Sequence, residues 1–270
     1  MTNINYIVYS HTSYLDILNI QTDYLSGHGN LTLFINSNNL SLDNLYNKYN
    51  RVIFYDDSFQ YAKRLLDCLT QIDDEYFLLI HDIDIVLNVD GEILKSFYEF
   101  MKSKNVDRVD LKQSHNLNVS NVIEVSKDVS PALWCVINTN EIGEGIYLVK
   151  QEDPKDFIYN VNPSIWKRKS LLQLLNTYSE KTYRTIEGID VQNYCKCFDV
   201  YKLYSKNAIE CGYFICLDIF KFLHISHSGK LLRLTNTFTT EYNQSYVPIS
   251  EDYINIVNNY NLKDSNKWIH

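Results

Sequence analysis

The stretch YFLLIHDIDIVL, residues 76–87, decides the fold of this chain. Its first five residues are all apolar or aromatic, which is typical of a strand buried on both faces in a parallel sheet. Two acids one residue apart, Asp82 and Asp84, come directly after that strand. Ligands of open α/β sheets bind beyond the carboxyl ends of the strands. The stretch therefore predicts a parallel sheet with a polar site at this edge.

The residues before this stretch alternate between strand and helix patterns. Residues 6–9, 31–35 and 51–55 are short β-rich runs, and apolar residues recur at helical spacing in 14–26 and 58–71. Strands that alternate with amphipathic helices are typical of a parallel sheet covered by helices. We therefore expect the α/β class, with candidate site residues placed just after the strands.

The composition of the chain is that of a globular protein. It has 270 residues, of which 45% are hydrophobic and 21% charged, and no internal repeat or linker is evident. These values fit one α/β domain of generous size. We therefore predict a single domain over residues 1–270.

Charge and hydropathy exclude several classes of partner. The formal net charge is −8, and no stretch concentrates Lys and Arg, so nucleic acid is not an expected partner. The first ten residues lack the basic start and apolar run of a signal peptide. No apolar run is long enough to span a bilayer. We expect a cytoplasmic protein without a transmembrane segment.

Six cysteines are present, and two of them, Cys195 and Cys197, form a C-x-C. A zinc site is conceivable, but the paired C-x-x-C spacing that is usual for such sites is missing. The pattern favours scattered reduced thiols.

The acid pair Asp82 and Asp84 is the strongest chemical signal in the sequence. Two carboxylates beyond a buried strand supply hard oxygen ligands of the kind that Mg²⁺ or Mn²⁺ prefers. Such a cation neutralises charge on a leaving diphosphate. The alternative is that the two acids only solvate a turn.

Four segments resemble, in order, those of GT-A fold glycosyltransferases, bacterial and viral members included. They are the stretch that ends in the D-x-D, an N-P-x-I-W-x-R segment, a segment with an acid near a helix start, and a late segment with His and Gly-Lys. They occupy residues 54–87, 162–168, 185–190 and 224–230. The resemblance implies a GT-A type, Rossmann-like mixed sheet, mostly parallel, with flanking helices.

The resemblance also implies a reaction: metal-assisted transfer of a sugar from a nucleotide-diphosphate sugar to a hydroxyl of a glycan or protein. A UDP-sugar is the default donor, and Mn²⁺ or Mg²⁺ is the implied cofactor. Residues 1–105 would bind the nucleotide sugar and residues 106–270 would form the acceptor side. The sequence predicts nothing about oligomeric state.

For the donor site, the resemblance implies that Asp82 and Asp84 hold the metal and the donor, with Asp84 the more direct ligand. A late histidine, either His224 or His227, would complete the site. Lys230 would contact the diphosphate as a point charge; its alternative is a solvated surface lysine.

Nucleotide recognition is expected at the ends of the first and third strands. Ser10, His11 and Tyr14 are candidates for contact with base and ribose. Asp57 is a candidate acceptor of a hydrogen bond from the base, and Arg64 could bind the base or the phosphates. The alternative for Asp57 is a plain helix N-cap.

Glu187 is the candidate general base of the acceptor side, with Asp190 in reserve one helical turn later. Acids at a helix start also stabilise the helix dipole, which is the structural alternative. Trp166 is the candidate platform for an acceptor sugar, and its alternative is a core tryptophan. A base opposite the departing nucleotide implies inversion; without it, retention remains open.

Two other classes of function remain alternatives. One is a nucleotide- or glycan-binding protein that has kept the fold without turnover, since fold alone does not establish function. The other is a phosphohydrolase of the haloacid-dehalogenase type, which uses the first acid of a D-x-D as its nucleophile. That motif usually lies near the N-terminus and is followed by Gly or Thr, whereas Ile85 follows it here.

Overall fold

The computed structural model describes residues 4–36, 42–82, 84–113, 122–125, 136–137, 145–151, 159–206, 209–211, 214–216, 220–224, 226–227, 230–231, 251–260 and 262. The strands, numbered along the chain, are β1 (Asn5–Tyr9), β2 (Asn30–Ile35), β3 (Arg51–Phe54), β4 (Tyr76–His81), β5 (Asp84–Val89), β6 (Arg108–Gln113), β7 (Val122–Val125), β8 (Val136–Ile137), β9 (Ile146–Lys150), β10 (Ser164–Lys167), β11 (Val200–Tyr204), β12 (Ile209–Cys211), β13 (Phe214–Cys216), β14 (Phe220–His224), β15 (Ser226–His227) and β16 (Lys230–Leu231). The helices are α1 (Leu15–Leu25), α2 (Asp43–Tyr46), α3 (Tyr61–Leu69), α4 (Gly91–Lys104), α5 (Arg168–Thr177), α6 (Ile189–Cys195) and α7 (Glu251–Asn259).

Ten of these strands form one mixed sheet in the order β3-β2-β1-β4-β10-β6-β11-β9-β7-β8. The first four are mutually parallel. Strand β10 runs antiparallel between β4 and β6, and β6 and β11 are parallel again. Strands β10, β9 and β8 run against the other seven. The predicted class, a Rossmann-like and mostly parallel mixed sheet with flanking helices, is confirmed.

The core lies on both faces of this sheet, as the period of a strand requires. In β4, Tyr76, Leu78 and Ile80 pack on one face, while Phe77 and Leu79 pack on the other. Helices α1 and α4 cover the first face, and helices α3 and α5 cover the second. Both faces of β4 are covered by apolar packing. Polar groups can therefore meet a ligand only beyond its carboxyl end.

The second half of the chain departs from the sequence prediction at two places. The sequence of 163–175 predicts a loop that becomes a helix, but residues 164–167 form β10, and helix α5 follows at once. The sequence predicts a helix over 183–197, but α6 begins only at Ile189, because Gly188 is extended with φ −66° and ψ 162° and caps it. Glu187 therefore lies in the turn before the helix, and the expectation that Asp190 lies one helical turn beyond it is wrong.

The second acid of the D-x-D also opens a strand of its own. Asp84 is the first residue of β5, which pairs antiparallel with β14 and forms a separate two-stranded sheet. The sequence predicts a loop over 228–250 and a last helix over 251–261. Most of that loop lies outside the described residues, and helix α7 ends two residues before the predicted boundary.

The described residues also bear on membrane insertion and on the state of the cysteines. Among the described residues, no helix combines the length and hydropathy needed to cross a membrane. In the same part of the chain Cys68 and Cys195 are buried free thiols, and Cys197 is an exposed one.

Candidate active site

Polar side chains that follow β1 and β4 meet at the carboxyl edge of the sheet. The Ser10 hydroxyl donates a hydrogen bond to Asp82 Oδ2 at 2.8 Å, and the His11 amide donates to the same oxygen at 3.2 Å. The Asp82 amide in turn donates to the Tyr9 carbonyl at 3.1 Å. Because β1 and β4 are adjacent and in register, Ser10 and Asp82 lie side by side although 72 residues separate them. The strand-end position predicted for these residues is confirmed.

A second polar group joins the ends of β1, β2 and β3. Nε2 of His11 lies 3.0 Å from Asp57 Oδ2, while its Nδ1 accepts the Ser13 amide hydrogen at 3.0 Å, so Nε2 carries the proton. Asn36 donates to Asp57 Oδ2 at 3.3 Å and accepts from the Thr12 amide at 2.8 Å. Asn36 is not among the site residues predicted from the sequence. Its position directly after β2 is the feature from which it could have been predicted.

Asp57 is also paired with Arg64, whose guanidinium lies 2.7 Å from Asp57 Oδ1 and 5.5 Å from the centre of the Tyr55 ring. Partial burial acts to raise the pKa of Asp57, but the hydrogen bond from His11 and the charge of Arg64 hold it below its usual value. The N-cap of α3 is Gln60. The helix-cap interpretation of Asp57 is therefore wrong.

Tyr14 lies in the segment that follows β1. It ends a short 3-10 turn over Thr12–Tyr14 and is half-buried. Burial, followed by the negative charge of Asp82, raises the pKa of the Tyr14 hydroxyl. Tyr14 therefore lies within electrostatic range of Asp82.

Asp84 lies inside the protein, with 1% of its surface exposed, and Asp82 is nearly as buried. In the β5–β14 pair, His224 is the register partner of Asp84. His227 is the register partner of Lys230 in the β15–β16 pair. For these three late residues only the backbone positions are described. The register places the backbone of His224 beside the acid pair.

The donor set fits a hard divalent cation. Over the described ranges, no group of three or more His, Cys, Asp or Glu side chains is positioned to hold a metal ion. Asp82 and Asp84 by themselves form a pair of carboxylates, and Mg²⁺ typically takes one or two carboxylates while water and phosphate oxygens fill the other positions. The hydrogen bonds from the Ser10 hydroxyl and the His11 amide orient the Asp82 carboxylate.

An aromatic cluster lies beside the acid pair. His81 is 2% exposed, and its Nε2 lies 2.8 Å from the Tyr61 hydroxyl. The ring of Tyr183 is close to perpendicular to both rings, with centroids 5.3 Å from Tyr61 and 5.9 Å from His81. The sequence does not predict this cluster, because its members come from three distant segments and no local pattern connects them.

Burial lowers the pKa of His81 to about 4, even though the charge of Asp84 acts to raise it. His81 is therefore neutral at pH 7, whereas a solvated histidine with a pKa near 6.5 gains a proton as the pH falls. Between about pH 4 and 6.5 the unfolded chain binds more protons at this histidine than the folded protein does. The free energy of unfolding therefore rises with pH over that range.

We expect the difference in the pKa of His81 between the folded and unfolded chain to remove about 3 kcal/mol of unfolding free energy as the pH falls from 7 to 4. His81→Gln, which stays uncharged, should lose correspondingly less over the same range. Urea unfolding of both proteins at several pH values measures the two slopes. Parallel slopes would show that His81 titrates in the folded state as it does in solution.

Glu187 is held in place by the backbone of a neighbouring segment. Its Oε1 accepts a hydrogen bond from the Val161 amide at 2.8 Å, and Gln192 donates to its carbonyl at 3.2 Å. Asp190 is exposed and forms an ion pair with Lys181 at 2.6 Å. The hydrogen bond from Lys181 lowers the pKa of Asp190. Asp190 is thus paired with a cation at the surface.

The predicted sugar platform Trp166 lies in the core, with 1% of its surface exposed. The Arg108 guanidinium lies 4.9 Å from the centre of its ring, and the Tyr159 ring lies 5.7 Å away. A buried ring with a cation on it offers no face to a sugar. The acceptor-stacking role predicted for Trp166 is therefore wrong, and the core alternative is correct.

Comparison with known proteins gives no family match. No family model matches the chain, and no curated protein matches it. A structure of apo-UDP-glucose pyrophosphorylase is similar at 11% identity, covering 96% of this chain and 99% of that chain, with a TM-score of 0.45.

Two further solved structures are similar over a smaller part of the chain. A cytidylyltransferase from Leptospira borgpetersenii serovar Hardjo-bovis has 10% identity, covers 76% of this chain and 77% of that chain, and gives a TM-score of 0.43. S. aureus TarS 1-349 has 15% identity, covers 76% of this chain and 58% of that chain, and gives a TM-score of 0.41. Values this low assign neither a substrate nor a reaction to the chain.

Proposed function

We propose that this protein is a GT-A type glycosyltransferase that moves a sugar from a nucleotide-diphosphate sugar to a hydroxyl of a glycan or protein. A UDP-sugar is the default donor. The observation that carries the proposal is the acid pair at the carboxyl edge of β4, where Asp82 is oriented by Ser10 and His11. In this proposal residues 1–105 bind the donor, and residues 106–270 form the acceptor side of one domain.

In the donor half, Asp82 and Asp84 would hold Mn²⁺ or Mg²⁺, and His224, the register partner of Asp84, is the favoured late histidine. Bound there, the cation would neutralise negative charge on the leaving diphosphate. Lys230 would add a point charge to the same phosphates. His227 remains the second candidate.

Nucleotide binding is assigned to the group around Asp57. His11, Asn36 and Asp57 form a fixed array of hydrogen-bonding groups at the ends of three parallel strands, which is where an open α/β sheet binds its ligands. Arg64 neutralises Asp57 and holds it in place, so its proposed role is in positioning Asp57 as well as in contact with the nucleotide. Tyr14 would line the ribose side.

Glu187 is the proposed general base. Its carboxylate is oriented by the Val161 amide and would take the proton from the acceptor hydroxyl as that oxygen attacks the anomeric carbon. The bond to the diphosphate breaks in the same displacement, which gives inversion. Asp190 is the weaker candidate, because the ion pair with Lys181 lowers its basicity.

The proposal is tested by nucleoside diphosphate release from a panel of nucleotide sugars with Mn²⁺, with Mg²⁺ and with EDTA. Water can act as a slow acceptor, so we expect cleavage of one donor without the true acceptor. EDTA should stop the reaction, and added Mn²⁺ should restore it.

Two alternative outcomes would replace the proposal. Thermal stabilisation by a nucleotide without cleavage of any donor would indicate a binding protein; a ligand at 100 times its dissociation constant stabilises by about 2.7 kcal/mol. Release of inorganic phosphate from a simple phosphomonoester, with no cleavage of nucleotide sugars, would indicate a phosphohydrolase.

A further inference from the structure

Residues 178–188, here called the Tyr183 loop, connect α5 to α6 in a fixed conformation. The Ala62 amide at the start of α3 donates to the Lys181 carbonyl at 3.1 Å. The Ile186 amide donates to the Thr182 carbonyl at 3.0 Å, and the Ile186 side chain is fully buried. The Thr182 amide donates to the Thr185 hydroxyl at 2.9 Å. The loop is therefore pinned to the sheet face that carries α3.

The loop places one aromatic ring at the surface beside the acid pair. Tyr183 is 38% exposed, whereas Tyr61 and His81, the two rings it packs against, are buried. Packing against two buried rings, with centroids 5.3 and 5.9 Å away, orients the ring of Tyr183. A ring already held in place loses little conformational freedom when a ligand packs on it.

Tyr183 lies within electrostatic range of acids from both halves of the proposed site. Burial of its hydroxyl, and then the charges of Asp84, Glu187 and Asp82, raise the pKa of Tyr183 well above 10. The proposed donor acids and the proposed base therefore act on this one side chain.

We propose that Tyr183 is the binding platform for the acceptor sugar. Its ring would pack against the apolar C–H face of a pyranose, and its hydroxyl would donate to an oxygen of that sugar, which brings a neighbouring sugar hydroxyl toward Glu187. Aromatic side chains combine a large apolar surface with a polar tip in this way. This inference rests on the proposed function, and it assigns to Tyr183 the contact that buried Trp166 cannot make.

The test is saturation-transfer NMR with a panel of methyl α- and β-glycopyranosides in the presence of UDP and Mg²⁺. We expect one or more glycosides to bind the wild-type protein. Tyr183→Ala should weaken that binding about tenfold, while Tyr183→Phe, which keeps the ring, should weaken it less. The matched control is Tyr260→Ala, because Tyr260 is equally exposed at 38% but lies at the end of α7. It should leave glycoside binding unchanged.

The outcomes separate the two proposals. Equal glycoside binding by wild type and a folded Tyr183→Ala protein would overturn the platform. So would cleavage of a donor by a wild-type protein that binds none of the glycosides. Glycoside binding that depends on Tyr183, with no donor cleaved, would support the platform and remove the glycosyltransferase assignment. With an active donor, a Tyr183→Ala protein should also show a lower ratio of sugar transfer to hydrolysis.

Discussion

Asp84→Asn should lower the rate of nucleoside diphosphate release from the cleaved donor by roughly 10²- to 10³-fold, the usual cost of removing one charge-stabilising group from an active site. The substitution keeps the shape of a side chain that is 1% exposed, so the packing around β5 is retained. It removes one of two negative charges and one oxygen of the proposed metal ligand. The measurement is donor hydrolysis at saturating Mn²⁺.

Asp56→Asn is the matched control for this prediction. Asp56 lies next to Asp57 after β3, is exposed, and accepts a hydrogen bond from the Ser58 amide at 2.8 Å. The same chemical change there should alter the rate by less than about twofold, as expected of an exposed position outside the site. A folded Asp84→Asn protein with wild-type rates would remove Asp84 from the site.

Arg108→Met should destabilise the protein by about 3–5 kcal/mol, the usual cost of leaving one partner of a buried ion pair without the other. Neither Arg108 nor Asp110 has an exposed side chain, and the guanidinium lies 3.6 Å from Asp110 Oδ2. Arg108 also donates to Asn160 Oδ1 at 2.6 Å and to the Ser164 hydroxyl at 3.3 Å. Urea unfolding, followed by the fluorescence of the adjacent Trp166, gives the free-energy change.

Two further variants make this prediction specific. Arg51→Met removes an arginine from the exposed edge strand β3 and should change stability by less than about 0.5 kcal/mol. Adding Asp110→Asn to Arg108→Met removes the buried charge, while Asn160 still has an oxygen to donate to. This double variant should recover part of the loss. If it were less stable than Arg108→Met, the pair would not be limited by an uncompensated charge.

The first half of the fold follows from the sequence because its information is local. A continuous apolar run predicts a buried strand, and parallel strands end at one edge, so the convergence of Ser10, His11, Asp57 and Asp82 could be predicted without a structure. Asn36 obeys the same rule. Its place directly after β2 is the same kind of strand-end position.

The second half depends on contacts that no local pattern contains. Strand β10 is short and gains its place by inserting between β4 and β6. The surroundings of Trp166 are likewise set by Arg108 on a neighbouring strand. Tyr183 reaches the side of His81 only because its loop packs on α3. The choice between His224 and His227 depends on the register of β14 against β5, which cannot be read from either strand alone.

The pairing of β5 with β14 also bears on how the protein is made. Strands β1 to β4 pair with one another, so a chain growing on the ribosome can assemble this part early. Strand β5, which begins at Asp84, has no partner until β14 has been synthesised. During that delay the nascent chain carries an unpaired strand and an open edge on β4, both of which invite association between chains. Translation must therefore proceed past β14 before Asp84 gains the strand pairing that it has in the folded protein.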